Sequence, residues 1–82
     1  MRGTAPEWEM FRKRIWRWRH RYHLSVEEMG WLMGRRPATI KRLEAGKLRP
    51  QATTILRFAA LEERYRQAQA EEAEMEALEG WR

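Results

Sequence analysis

Apolar residues recur along this chain at helical spacing and nowhere alternate as they do in strands. Trp8, Phe11, Ile15, Trp18 and Tyr22 stand three or four apart. They predict a helix over about 7–22 with one apolar stripe turned to a core. Pro6 suits its first turn, where Glu7 and Glu9 complement the helix dipole. Trp16 falls off the stripe. A second helix over about 25–33 is announced by Ser25 and Glu28, a capping box. Leu24, just ahead of it, is placed to staple onto Met29. Gly34 suits a left-handed cap at its end. Met29 and Met33 share a face, and Gly30 leaves room for close approach of another helix.

A third helix, about 37–45, starts at Pro37, whose fixed φ suits the first helical position. Ile40 and Leu43 give it a narrow apolar face, and Gly46 ends it. Only Gly34, Arg35 and Arg36 separate it from the second. Two short helices, each with one narrow apolar face, meeting across a glycine turn form the pattern of a helix-turn-helix.

A further helix starts near residue 51, with Ala52, Ile55, Leu56, Ala59 and Phe58 expected to face inward. No helix breaker follows before Gly80, and the second half is rich in Ala and Glu. Phe58, Leu61, Tyr65, Ala68, Glu72 and Met75 trace a weak heptad seam, interrupted by Glu72. That segment is open to three fates: pairing with a partner, packing back on the domain, or fraying. The pattern as a whole predicts an all-α fold. A compact helical domain fills 1–65, and an acidic helical extension or tail fills 66–82.

Composition narrows the function classes. A chain of 82 residues without cysteine has a small core and no disulfide to support it. Cysteine-based zinc sites are excluded, and a cytoplasmic setting fits. No apolar run approaches the roughly 20 residues that cross a bilayer. Met-Arg-Gly-Thr leads into a charged segment rather than the apolar core of a signal peptide. Charge is divided: residues 1–57 hold 14 Lys and Arg against 5 Glu, and residues 58–82 hold 3 Arg against 7 Glu. The basic body points to an anionic partner, nucleic acid first and an anionic membrane surface second. Fourteen Arg against three Lys is a compositional bias, so position carries more weight than count.

Six of those cations crowd one stretch, GRRPATIKRLEAGKLRP, from Gly34 to Pro50. With it in view, the run Ile15 to Leu61 resembles the XRE helix-turn-helix family of phage Cro and C1 repressors. The residues carrying the resemblance are Ile15, Trp18-Arg19, Leu24-Ser25, Glu28-Met29-Gly30, Gly34, Thr39-Ile40, Leu43-Glu44, Gly46-Lys47 and Pro50. The sequence departs from the family's usual Gln at Val26, Ala at Gly30, Ser or Thr at Arg36 and Asn at Ala45. The resemblance implies a Cro/C1-repressor-like domain whose third helix is a recognition helix entering the major groove of double-stranded DNA. It implies that Pro37, Ala38 and Arg42 meet base edges. Arg42 suits a two-bonded contact to guanine, and Ala38 a thymine methyl. Ser25, Val26, Arg35, Arg36, Thr39, Lys41, Lys47 and Arg49 are then expected on phosphates, positioning without reading sequence. It also implies an ion pair, Arg19 with Glu44, that orients the third helix.

Other chemistries find little support. His20 and His23 lack further ligands for a metal. The paired glutamates at 27–28, 62–63 and 71–72 accompany no nucleophile or pocket signature, so no enzyme activity and no cofactor are expected. The basic aromatic run Arg12–Arg21 resembles a membrane-active peptide, but its aromatics divide between a core stripe and Trp16. Trp16, Trp31 and Leu32 are large apolar groups off the core pattern; with Tyr65 and Met75 they are the expected interface residues. For Trp31 and Leu32 the contact is either another subunit or the chain's own long helix. The expected function is a sequence-specific transcriptional regulator, cytoplasmic and nucleoid-associated, repressing as a homodimer on a palindromic operator. The alternative is an antitoxin-like module whose C-terminal helix binds a partner protein.

Overall fold

The structure, a computed structural model, describes residues 6–80. The leading Met-Arg-Gly-Thr, the side chain of Glu7 and the last two residues of the 66–82 extension lie outside the described residues. Four helices follow in order: α1 (Pro6–Arg21), α2 (Val26–Met33), α3 (Pro37–Glu44) and α4 (Ala52–Glu79). The described residues contain no strand.

The core is drawn from all four helices. Phe11, Ile15 and Trp18 of α1 meet Met29 and Met33 of α2, Ile40 and Leu43 of α3, and Phe58 and Leu61 of α4. Phe58 is fully buried. Its ring meets Phe11 at 5.7 Å and Trp18 at 5.6 Å, both edge-on, an arrangement that pairs ring edges with ring faces. Trp18 continues the cluster to Tyr65 at 4.7 Å, and Tyr65 to Tyr22 at 4.9 Å. A domain of this size gains from concentrating its apolar area in a few large rings, since it has few buried positions.

The α2 boundaries follow from the expected chemistry. The Ser25 hydroxyl accepts from the Glu28 N–H at 3.0 Å, and the Glu28 carboxylate accepts from the Ser25 N–H at 2.8 Å. Those bonds from Ser25 hold the Glu28 carboxyl below its ordinary range. The stability they contribute is complete above the ordinary glutamate pKa and is lost as pH falls through the lowered folded-state value. Leu24 and Val26 pack against the core.

At the other end, Gly34 adopts φ 66°, the left-handed region that glycine enters without a Cβ penalty. The Arg35 N–H donates to the Gly30 carbonyl at 2.8 Å. A Cβ at Gly30 would stand 2.5 Å from the Arg35 carbonyl oxygen. What Gly30 admits is therefore the turn leading into α3 rather than the side of another helix. Pro37 opens α3, and Ala45 with Gly46 (φ 74°) closes it.

The face that α4 buries differs from the expectation. Ala52, Leu56 and Ala59 are exposed, and Ile55 is 37% exposed. Phe58 is buried as expected, but its buried companions are Thr54 and Leu61, with Tyr65 half-buried beyond them. The large Phe58 ring is the group that fits between Phe11 and Trp18, and α4 turns to deliver it. Thr54 is tolerated inside because its hydroxyl accepts from Arg35 Nε at 3.2 Å, which satisfies a polar group away from water. Tyr65, expected at an interface, belongs to the chain's own core. Past Tyr65 the seam stops being a seam: Ala68, Glu72 and Met75 are all exposed. α4 crosses residue 65 unbroken and runs on in solvent.

Candidate nucleic-acid interface

α3 presents two faces. Ile40 and Leu43 are buried, while Pro37, Ala38, Lys41 and Arg42 are exposed and Thr39 lies at the boundary. The helix is held by its C-terminal end. Glu44 accepts from Arg19 Nε at 2.7 Å and from Nη2 at 2.8 Å, and Arg19 Nη1 donates to the Leu24 carbonyl at 3.0 Å. Only 14% of the Arg19 side chain and 9% of the Glu44 side chain are exposed. The bonds to Glu44 raise the Arg19 pKa against the opposing effect of burial. One guanidinium thus ties α1, the α1–α2 loop and α3 together in a planar two-bonded geometry that a lysine cannot reproduce. Arg12 adds a long bond from Nη1 to the Glu44 carbonyl at 3.5 Å and pairs with Glu9.

The expected contact residues divide by what already holds them. Arg36, Lys41, Arg42 and Lys47 are exposed and form no ion pair among the described residues. Arg36 occupies the N-cap of α3 without a side-chain capping bond. Arg49 lies over the Trp8 ring at 5.5 Å, a cation–π contact that positions it without neutralising it.

Arg35 is held more firmly. It donates to Thr54 at 3.2 Å, Thr53 at 3.3 Å and the Gly34 carbonyl at 3.1 Å, so its main work is to fasten the α2–α3 turn to the start of α4. Ser25 is likewise engaged in capping. The first-turn N–H groups near Val26 lie beside Glu27 and Glu28, whose carboxylates oppose an incoming phosphate. The unencumbered cations therefore gather at the start, outer face and far end of α3.

Arg57 was not singled out by the sequence. Its Nη1 donates to the Met33 carbonyl at 3.1 Å, capping the end of α2 from α4. Only the three-dimensional approach of the two helices makes that bond, so no local pattern announces it. The same holds for Arg14 of α1, which pairs with Glu62 of α4.

Among the expected interface residues, Trp16 is 47% exposed and stacked on His20 at 3.9 Å. Trp31 is 86% exposed, Leu32 37% and Met75 63%. The chain's own α4 does not cover Trp31. It forms the opposite wall of an open groove with α2, where Trp31 and Leu32 face Arg57, Ala60, Leu61 and Arg64. No group of three or more metal-ligating side chains occurs among the described residues, and none of their helices is long and apolar enough to cross a membrane. Comparisons with family models, characterised proteins and solved structures find no match to this chain.

Proposed function

We propose that this chain is a sequence-specific regulator that binds double-stranded DNA and represses transcription as a homodimer on a palindromic operator. One observation carries the reading. A short helix, fixed at its end by a nearly buried two-bonded ion pair, turns an outer face of Ala38, Lys41 and Arg42 to solvent. Cations with no carboxylate partner among the described residues stand at both its ends, in Arg36 and Lys47. A rigid helix with readable side chains on one face and loose cations around it matches what a major groove and its phosphate rims require. The reading implies nucleoid association and a cytoplasmic protein.

Selection from a random duplex library at near-physiological salt, with the full chain, tests it. The expected product is a palindromic motif with half-sites about 10–11 base pairs apart. Failure to enrich any motif, with binding that fades steeply as salt rises, would replace it with nonspecific electrostatic attraction.

Two substitutions separate the roles. Arg42→Ala should lose about 10- to 100-fold in preference at one base position, the equivalent of roughly 1–3 kcal/mol, while weak general binding stays. Equal loss on every duplex would make Arg42 a phosphate contact. Lys47→Ala should weaken all sequences alike and lower the slope of log affinity against log salt by about one. A selective effect would contradict its assignment.

A further inference from the structure

The outward stripe of α4 that walls the Trp31 groove carries an ordered charge pattern. Arg57, Ala60, Arg64, Glu71, Met75 and Leu78 follow one another at spacings of three, four, seven, four and three. At 3.6 residues per turn these positions share one side of the helix. The spacings read the same from either end, about a midpoint between Gln67 and Ala68. The chemistry does not: the first half is basic and belongs to the groove, whereas the second half is acidic and apolar and runs free in solvent.

We infer that a second copy of this chain fills the groove, its α4 lying antiparallel to the first about that midpoint. Antiparallel superposition sets Arg64 of each copy opposite Glu71 of the other. It sets Ala60 opposite Met75, and Arg57 opposite Leu78. Each contact occurs twice, as two-fold symmetry demands of an isologous interface. Arg64 has no ion pair among the described residues, and Glu71 has none either. The Arg57 head is engaged with Met33, which leaves its methylene stem to cover Leu78. Met75, 63% exposed, and Leu78, 71% exposed, enter beside Trp31, 86% exposed, and Leu32. Four exposed apolar groups thus acquire partners, and small Ala60 faces flexible Met75 across the gap.

Only a second molecule can supply this occupant. α4 is unbroken from Ala52 to Glu79, so its far half cannot turn back into its own groove. Charge decides the orientation. A parallel pair would set Arg64 against Arg64 and Glu71 against Glu71, whereas the antiparallel pair sets each against its opposite.

The inference deepens the homodimer within the reading above, and its test contains no DNA, so the duplex selection can succeed or fail independently. The chain has no cysteine, which makes introduced thiols unambiguous. The full chain carrying both Ala60→Cys and Met75→Cys should oxidise to a covalent dimer, and either change alone should not. The two positions lie about 22 Å apart along one helix at 1.5 Å per residue, too far for a bridge within a chain. Ready cross-linking of either single variant, or a full chain that sediments as a monomer at about 100 μM, would overturn the inference. Arg64→Glu and Glu71→Arg provide a second check at exposed positions, with helicity monitored by circular dichroism. Each alone should weaken the dimer about tenfold, and the two together should restore most of the loss. A double variant as weak as the worse single one would refute this register.

Discussion

Phe58→Ala should bring the domain to the edge of unfolding. Removing a fully buried phenylalanine costs about 3–5 kcal/mol, because the neighbours close the cavity only in part. Here the neighbours are Phe11 and Trp18, whose edge-on contacts with the ring are worth about 0.5–1.5 kcal/mol beyond the area they bury. A domain of this size holds a margin of only about 5 kcal/mol. The melting temperature should fall by at least about 15 °C, at roughly 4–8 °C per kcal/mol for a chain of this length. Phe58→Leu, which keeps much of the volume, should lose less than half as much. A fall under about 5 °C for the alanine variant would show that α1 and α4 are not joined through this ring.

Glu44→Ala should have the next largest effect, through the group it leaves behind. Arg19 would keep its bond to the Leu24 carbonyl but lose two charge-assisted bonds while its side chain stays largely enclosed. Breaking such a pair from one side costs about 3 kcal/mol, most of it the stranded charge. Arg19→Leu combined with Glu44→Leu should therefore be more stable than the sum of the single changes predicts. A double-mutant cycle read by thermal melts checks this, and simple additivity would mean the two charges act independently. Under the proposed function the cost has a second face. A loosened α3 would lose base preference before it loses general affinity, since phosphate attraction tolerates misalignment that base contacts do not.

Both residues show what could be read from the chain and what could not. The capping box at Ser25 and Glu28, the left-handed Gly34 and the proline start of α3 are local, since a few neighbouring residues decide each one. The open face of α3 follows from Ile40 and Leu43 alone, because fixing two inward positions on a helix fixes the outward ones. The Arg19–Glu44 pair spans 25 positions and was expected through resemblance, not through spacing.

α4 was harder to read because it offers two apolar stripes. Ile55, Leu56 and Ala59 compete with Phe58, Leu61 and Tyr65, and periodicity cannot choose between them. The space left by Phe11 and Trp18 chooses, and that space is a property of the folded molecule. The capture of Arg35 by Thr53 and Thr54, and of Met33 by Arg57, belongs to the same class. The resemblance placed Arg35 on a phosphate and left Arg57 unremarked, although each has structural work across 18 residues or more.

The unequal support along α4 has a consequence for the order in which the molecule opens. Its first half is clamped at Thr54, Phe58, Leu61 and Tyr65, so exchange of those amides with solvent deuterium requires the whole core to separate. Its second half is exposed throughout the described residues and, in an unpaired chain, relies on Ala and Glu propensity, in a segment about as short as an isolated helix can be. Glu74, Glu76 and Glu79 also crowd the negative end of the helix dipole. In the unpaired chain, opening therefore starts at Gly80 and travels inward, one turn at a time, until the ring of Tyr65 stops it.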